Sequence, residues 1–451
     1  MSLLALIGTL ITLVAALGYL NHRFIGLPDA TGIAAIGLAA SLLMGVFGQG
    51  TQLLAAAQEL FGDVDFASLL LHGILGMLLF AGGLHASVAA IAREKWLVLI
   101  LSTVGVLVST VAVGFGFYAV TWVVGMPLPL LHCLVFGALI SPTDPIAVLG
   151  VLRKVGVPAS LEARITGESL FNDGMGVVLF LTLLGIAVGG AVPTLGDLGL
   201  LLVREMLGGA VFGIGVGLLG LYMIRTANSD AIATLVSLAM ATGGYAAAEA
   251  LGVSAPIAVV FMGLLVGGRG ESPRVAEHSS QRRLFTTWEV IDELLNLMLF
   301  GLIGLEIITL QTSASGLLLS VLAIPVVLLA RYVSVVLPVM AAPRLREWGR
   351  GVSFVMTWGG LRGGVSIALA LSLASTLPDS HVLIAATYGV VIFSILVQGL
   401  TLRRVISRAL PAALLAHREA QAEENAAPDP SPGQADPSDA GQAAISASNR
   451  S

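Results

Sequence analysis

The amino-acid sequence predicts an all-α polytopic membrane protein of about thirteen transmembrane helices, built as two inverted-topology repeats with broken helices that cross at the membrane midplane. Three observations support this fold class. Charged residues make up only 11% of the 451 residues while 57% are apolar, whereas a soluble domain is about 25% charged. Long apolar runs follow one another along most of the chain. Two of these runs are interrupted by Pro-rich or Gly-rich segments that carry charge.

Each apolar run of about 18 or more residues predicts a transmembrane helix, because a helix satisfies its own backbone hydrogen bonds in hydrocarbon. The predicted spans lie at about residues 3–20, 30–47, 66–85, 97–120, 130–150, 164–188, 199–224, 231–250, 254–268, 285–308, 316–339, 352–376 and 382–401. Residues 1–415 then form the transporter domain, with repeats at about 1–188 and 231–401 and a linker helix at about 199–224. Residues 416–451, rich in Ala, Pro, Ser and Asp, predict a disordered cytoplasmic tail.

Loop charges predict the orientation. No basic residue precedes the first span, and the first one, Arg23, follows it. Further basic residues occur in every second loop, and the intervening loops contain none. Since basic loops stay in the cytoplasm, we expect an outside amino terminus, a cytoplasmic carboxyl terminus and a place in the inner (plasma) membrane of the cell.

The composition also excludes several function classes. Lys95 and Lys154 are the only lysines, and no basic stripe with aromatic residues is present, so no nucleic-acid partner is expected. Cys133 is the single cysteine, which excludes internal disulfides and cysteine-rich metal sites. The sequence has no HExxH or GxSxG motif. We therefore expect no enzyme and no cofactor.

One glycine-rich run has two interpretations. Gly215, Gly217 and Gly220 match a dinucleotide-binding pattern by letter. The run lies in an apolar helix, however, where Gly209, Gly213 and Gly217 recur at every fourth position. Close packing against another helix explains this spacing better.

A small set of charges is left at membrane depth, where each costs about 2.5 to 3.5 kcal/mol at a helix centre. Such residues mark functional sites. The set comprises Asp144, Glu168, Asp173, Asp292, Glu293, Glu306, Arg331 and Arg362. Glu306 and Glu293 are possible partners of Arg331. Asp292 and Glu293 predict either a cytoplasmic funnel or a simple helix terminus.

The fifth span contains the first break. Residues 141–145 read Ser-Pro-Thr-Asp-Pro, and the two prolines remove backbone donors within an apolar run. Unwound backbone at this depth is typical of ion sites in carriers. The same stretch is also compatible with a turn that caps the next helix.

The twelfth span contains the second break. Residues 358–364 read Trp-Gly-Gly-Leu-Arg-Gly-Gly. The glycines alone would be compatible with close helix packing, but Arg362 among them favours a second broken helix. Because each break lies in the fifth helix of its repeat and the repeats enter from opposite sides, the pattern is typical of alternating-access carriers.

The sixth span carries paired polar residues. Ser169 and Asp173 are four positions apart and share one helix face, while Glu168 and Asn172 share a face about 100° away. One interpretation is a cation site at Asp173 and Ser169, facing Asp144, with Glu168 neutralising Arg362. The alternative is a polar network that only holds helices together.

These three segments resemble the signature segments of the cation:proton antiporter-1 family, the NhaP-type Na+/H+ antiporters related to animal sodium/proton exchangers. The resemblance implies an NhaA/NhaP-like fold, a homodimer, and alternate binding of Na+ and H+ at Asp173. It also implies that Ser169 and Thr143 help to form the site. We expect Na+ at Asp173, Ser169 and Thr143, and we expect Asp144 to be among the cation- and proton-binding residues. Asn172 would support the site.

The resemblance further implies a buried ion pair between Glu168 and Arg362. Some relatives carry a glutamate in the third helix where this chain has Ala81. At that position we expect water or a backbone oxygen in place of the carboxylate.

The predicted function is secondary active Na+(Li+)/H+ antiport by alternating access in the lipid bilayer, with a role in pH homeostasis. Na+ and H+ would compete for Asp173, because burial disfavours a charged carboxylate. Asn172 adds no second titrating group, so the exchange is expected to be electroneutral. K+/H+ antiport by the same fold is an alternative, as is a cation channel.

Overall fold

The computed structural model describes residues 3–47, 68–155, 157, 159–189, 194–227, 229–268, 279–306, 314–341, 349–374 and 376–410. Within these ranges the chain is helical and has no β-strand. The predicted tail at 416–451 lies outside the described residues.

The helices follow the predicted spans in order. They are α1 (Leu3–Leu20), α2 (Asp29–Phe47), α3 (Leu75–His85), α4 (Val88–Arg93), α5 (Lys95–Ile100), α6 (Val106–Val124), α7 (Leu130–Ile140), α8 (Ile146–Val155), α9 (Ala159–Gly189), α10 (Leu195–Thr226), α11 (Asp230–Ala250), α12 (Ala255–Gly267), α13 (Ser279–Glu306), α14 (Ala314–Ala341), α15 (Gly349–Trp358), α16 (Gly364–Leu371), α17 (Ser380–Phe393) and α18 (Leu400–Ala409). In the described ranges, four π-helical segments join or extend them, at Asn21–Ile25, Leu69–Ile74, Leu101–Gly105 and Ser394–Gly399.

The all-helical membrane fold and both breaks are confirmed. Helix α7 ends at Ile140 and α8 begins at Ile146, while α15 ends at Trp358 and α16 begins at Gly364. Six helices of the described part are long and apolar enough to cross a bilayer, or seven if the pair at the amino terminus, bent by 105°, counts as one span. The number thirteen stays a prediction.

Side-chain caps fix where several helices begin. Thr194 and Asp197 form a capping box at the start of α10, and Ser229 and Ser254 accept hydrogen bonds from the first turns of α11 and α12. These caps satisfy amide groups that have no partner within the helix. The chain therefore turns sharply between α10, α11 and α12.

Glycines let α12 approach α10 very closely. A Cβ atom at Gly209 would lie 2.5 Å from the carbonyl oxygen of Ser254, and a Cβ atom at Gly213 would overlap the carbonyl oxygen of Ala258. The backbones are thus nearly in contact. This confirms the helix-packing interpretation of the glycine run.

The opposite side of α12 packs in the same way against α3. A Cβ atom at Gly83 would lie 2.6 Å from the carbonyl oxygen of Val260, and one at Gly263 would overlap the carbonyl oxygen of Phe80. Helices α2 and α13 make a comparable contact, since a Cβ atom at Gly304 would lie 2.8 Å from the carbonyl oxygen of Ala34. These close crossings position α3 and α13 beside the two breaks.

Candidate functional site

The two breaks meet through their backbones. The amide nitrogen of Asp144 in the first break donates to the carbonyl oxygen of Leu361 in the second, at 2.8 Å. Gly363 lies against the Asp144 side chain, and a Cβ atom at this position would overlap the carboxylate. The second break therefore requires glycine here for a steric reason.

Arg362 takes up the carbonyl groups that the first break leaves without helical partners. Its Nη1 donates to the carbonyl oxygens of Ser141 and Pro142, at the carboxyl-terminal end of α7. The side chain is only 2% exposed. A cation at this end of a helix is favourable because the helix dipole is negative there. The guanidinium thus stabilises the broken helix.

Glu168 binds a different arginine from the one expected. Both of its carboxylate oxygens accept hydrogen bonds from Arg331 on α14, Nη1 to Oε1 and Nη2 to Oε2 at 3.1 Å. Arg331 also donates to the carbonyl oxygen of Met356 near the end of α15. The expected ion pair between Glu168 and Arg362 is wrong, as are Glu306 and Glu293 as partners of Arg331.

The physical reason lies in the breaks. Arg362 finds its acceptors in the carbonyl groups of Ser141 and Pro142, at the point where α7 is broken, which leaves Glu168 to the other buried guanidinium. Arg331 passes Gly360 closely, because a Cβ atom there would lie 2.5 Å from its Nε. The glycine of the second break makes room for this ion pair.

Asn172 and Ser169 hold the unwound backbone at Thr143. The Asn172 side chain donates from Nδ2 to Thr143 Oγ1 at 2.7 Å, and its Oδ1 accepts from the Thr143 amide at 3.3 Å. The Ser169 hydroxyl donates to the Thr143 carbonyl oxygen. Helix α9 therefore fixes the position of the first break through three hydrogen bonds.

A cavity of about 430 Å³ lies beside the two breaks. The predicted residues Thr143, Asp144, Ser169 and Asp173 all line it. Asp173 is 8% exposed, and its Oδ1 is buried without a hydrogen-bond partner among the described residues. The structure thus brings the four predicted residues to one cavity, while Asn172, Glu168 and Arg362 lie behind it.

Sequence reasoning missed four polar residues of this cavity. His85, Thr166, Glu289 and Ser366 also line it. Thr166 precedes Ser169 by three positions and Asp173 by seven, so helical periodicity could have found it. Glu289 lies three positions before Asp292 on α13, and both face the cavity.

The tenth span corrects one interpretation. Helix α13 begins at Ser279, so Asp292 lies well inside the helix and not at its terminus. Asp292 lines the cavity and Glu293 does not. The funnel interpretation is therefore favoured for Asp292 alone.

Helix α3 contributes no carboxylate to the cavity. Ala81 is completely buried and does not belong to the cavity lining, to which α3 contributes Leu75, Leu78, Leu79, Gly82 and His85. The third-helix carboxylate of those relatives therefore has no side-chain counterpart at Ala81.

The chain is similar to known sodium/proton antiporters. A family model described as "Sodium/hydrogen exchanger, transmembrane" matches residues 9–408. The chain is 40% identical over 412 residues to the Na(+)/H(+) antiporter NhaP of Pseudomonas aeruginosa, covering 90% of this chain and 97% of that protein. It is 31% identical over 389 residues to the Na(+)/H(+) antiporter NhaH of Halobacillus aidingensis, covering 84% and 92%.

A solved structure has the same fold. The sodium proton antiporter MjNhaP1 from Methanocaldococcus jannaschii at pH 8 superimposes with a TM-score of 0.69 at 19% sequence identity, covering 91% of this chain and all of that one. At this identity the likeness concerns the fold.

Proposed function

The chain belongs to the sodium/hydrogen exchanger family, and we propose that its Na+/H+ exchange takes place at Asp173, where the two ions compete for one carboxylate. It is an integral membrane transporter of cations and protons and not an enzyme. Within the described residues, no group of three or more His, Cys, Asp or Glu could hold a resident metal ion.

The Oδ1 atom of Asp173 carries this proposal. It is buried, has no hydrogen-bond partner in the described part of the chain, and belongs to a residue of the cavity lining. A buried carboxylate oxygen without a partner is unfavourable, and either a proton or a hard cation with oxygen ligands relieves this. Ser169 and Thr143 supply further oxygen atoms, and Asp144 adds negative charge to the same cavity.

The neighbouring groups support an electroneutral cycle. The Asn172 amide is held by Thr143 and does not titrate. Glu168 is neutralised by Arg331. Asp173 then exchanges one proton for one monovalent cation, and no net charge crosses the membrane in a cycle.

Alternating access would follow from the repeats. The predicted repeats are 1–188 and 231–401. Helix α3, the third of the first repeat, crosses α12, the second of the second repeat, and α2 crosses α13 in the reciprocal way. Such pairing supports an inverted-repeat carrier. In this proposal the protein is a homodimer in the inner membrane. Its amino terminus lies outside and its carboxyl terminus in the cytoplasm. The cavity opens toward the cytoplasmic side.

Transport in everted vesicles tests the assignment of Asp173. Na+-driven dissipation of a proton gradient should vanish with Asp173→Asn, because the amide cannot bind a proton and binds Na+ weakly. Asp197→Asn, at the exposed start of α10, makes the same chemical change far from the cavity and should retain transport. Continued exchange by Asp173→Asn would refute the proposal.

Two further arms test its finer parts. Replacing Na+ with K+ should give little exchange, and a preference for K+ would favour K+/H+ antiport. An imposed membrane potential should leave the rate unchanged. A rate that follows the potential would refute electroneutrality.

A further inference from the structure

Ser366 has a buried hydroxyl group for which the described residues provide no partner. It lies in the first turn of α16, directly after the second break, and is 1% exposed. Its Oγ makes no hydrogen bond with any described residue. The residue lines the same cavity as Asp173.

The other buried serine hydroxyl groups next to the breaks are satisfied. Ser141 and Ser169 donate to carbonyl oxygens, and Ser394 accepts from the Arg362 amide at 2.8 Å. Ser372, which is half-buried and follows the last residue of α16, also has a partner, since it donates to the carbonyl oxygen of Leu369. Since buried polar groups are nearly always paired, the hydroxyl of Ser366 indicates a ligand that occupies the cavity.

Asp173 presents the matching group. Its Oδ1 is also buried and has no partner among the described residues, so no hydrogen bond joins it to Ser366 Oγ. Two oxygen atoms that belong to one cavity and do not bond to each other can both bind an ion or a water molecule placed between them. The α3 side of the cavity, with Leu78, Leu79 and Gly82, supplies no side-chain oxygen that could take this role.

We propose that Ser366 Oγ is a ligand of the transported cation and completes the oxygen shell that Asp173, Ser169 and Thr143 begin. This inference rests on the proposed exchange at Asp173. It means that both broken helices hold the cation, the first through Thr143 and the second through Ser366. The hydroxyl is neutral, so it strengthens cation binding without adding a titrating group.

The test compares three variants in reconstituted proteoliposomes. Ser366→Ala removes the oxygen, and Ser366→Cys replaces it with a sulfur of similar size that is a poor ligand for a hard cation. Ser372→Ala makes the same deletion at the end of the same helix, outside the cavity. The measurements are the half-saturating Na+ concentration, the maximal rate, and the pH profile of exchange at fixed Na+.

Both Ser366 variants should raise the half-saturating Na+ concentration by about tenfold, the effect of losing one oxygen contact to a charged partner. The maximal rate should change little. At fixed Na+, the activity profile should move to higher pH, because protons then meet a weaker competitor at Asp173. Ser372→Ala should match the parent protein.

Binding without turnover gives an independent readout. Na+ should raise the thermal unfolding temperature of the purified protein less in Ser366→Ala and Ser366→Cys than in the parent, because a ligand stabilises according to its affinity. An unchanged Na+ dependence in both assays would overturn the role of Ser366 and leave Asp173 untouched. Exchange by Asp173→Asn would overturn the proposed function itself.

Discussion

At the residue scale, the ion pair of Glu168 with Arg331 differs most from what the sequence suggests. Periodicity places Glu168 on a different face of α9 from Asp173. The structure confirms this, because Asp173 lines the cavity and Glu168 does not. The sequence places two arginines at membrane depth, Arg331 and Arg362, and no spacing along the chain shows which of them reaches Glu168. Arg362 binds the carbonyl oxygens of Ser141 and Pro142, which lack helical partners only because the helix is broken there. Glu168 is therefore left to Arg331.

The pairing can be tested with double-mutant cycles. Glu168→Gln should lower the free energy of unfolding by about 3 kcal/mol, because it leaves a buried guanidinium uncompensated. Arg331→Met in the same chain should recover part of this loss, so the two positions should couple strongly. Thermal unfolding of the purified protein is the measurement.

A cycle of Glu168→Gln with Arg362→Met is the matched control. Arg362 bonds to the carbonyl oxygens of Ser141 and Pro142, so its coupling to Glu168 should be much weaker. If Arg362 coupled to Glu168 more strongly than Arg331 does, the pairing in the structure would be incorrect.

At the element scale, the sequence predicts the two broken helices well. Prolines and a glycine-flanked arginine contrast so clearly with apolar surroundings that both breaks can be located within a few residues. The polar stripe of α9 is predictable for the same reason. The part of the cavity wall that Ser366 and Glu289 supply cannot be predicted in this way, because the packing of α13 and α16 brings these residues to the cavity of Asp173.

Packing of α10 against α12 gives a second prediction. Gly213→Ala should destabilise the protein by about 1 to 3 kcal/mol, because the added methyl group would overlap the backbone carbonyl of Ala258. Gly215→Ala, two residues away, is the matched control, because a Cβ atom at Gly215 would have no neighbouring atom within 4 Å among the described residues.

The control should be neutral or slightly stabilising, since alanine favours a helix over glycine. Thermal unfolding of both variants side by side measures the difference. Equal stability of the two variants would mean that the helices can separate at no cost.

At the scale of the whole molecule, composition alone predicts a polytopic helical protein, and loop charge predicts its orientation. The number of spans is harder to predict, because several observed helices are short or broken. Only six or seven helices of the described part satisfy length and hydropathy criteria. A broken helix crosses a bilayer without any single segment being long enough.

Cysteine labelling tests the orientation. With Cys133 replaced by alanine, a cysteine at exposed Pro127, between α6 and α7, should react with a membrane-impermeant maleimide in intact cells. A cysteine at exposed Thr226, at the end of α10, should react only after the membrane is permeabilised. The reverse pattern would invert the proposed topology.

The hydrogen bond from the Asp144 amide to the Leu361 carbonyl fastens the two crossing segments through main-chain atoms alone. Alanine scanning cannot detect such a fastening, because replacing either side chain leaves both of its atoms in place. Deuterium uptake can detect it. The amide of residue 144 should exchange slowly although a cavity lies beside it, and the two segments should move as one body whenever the carrier changes the side it faces.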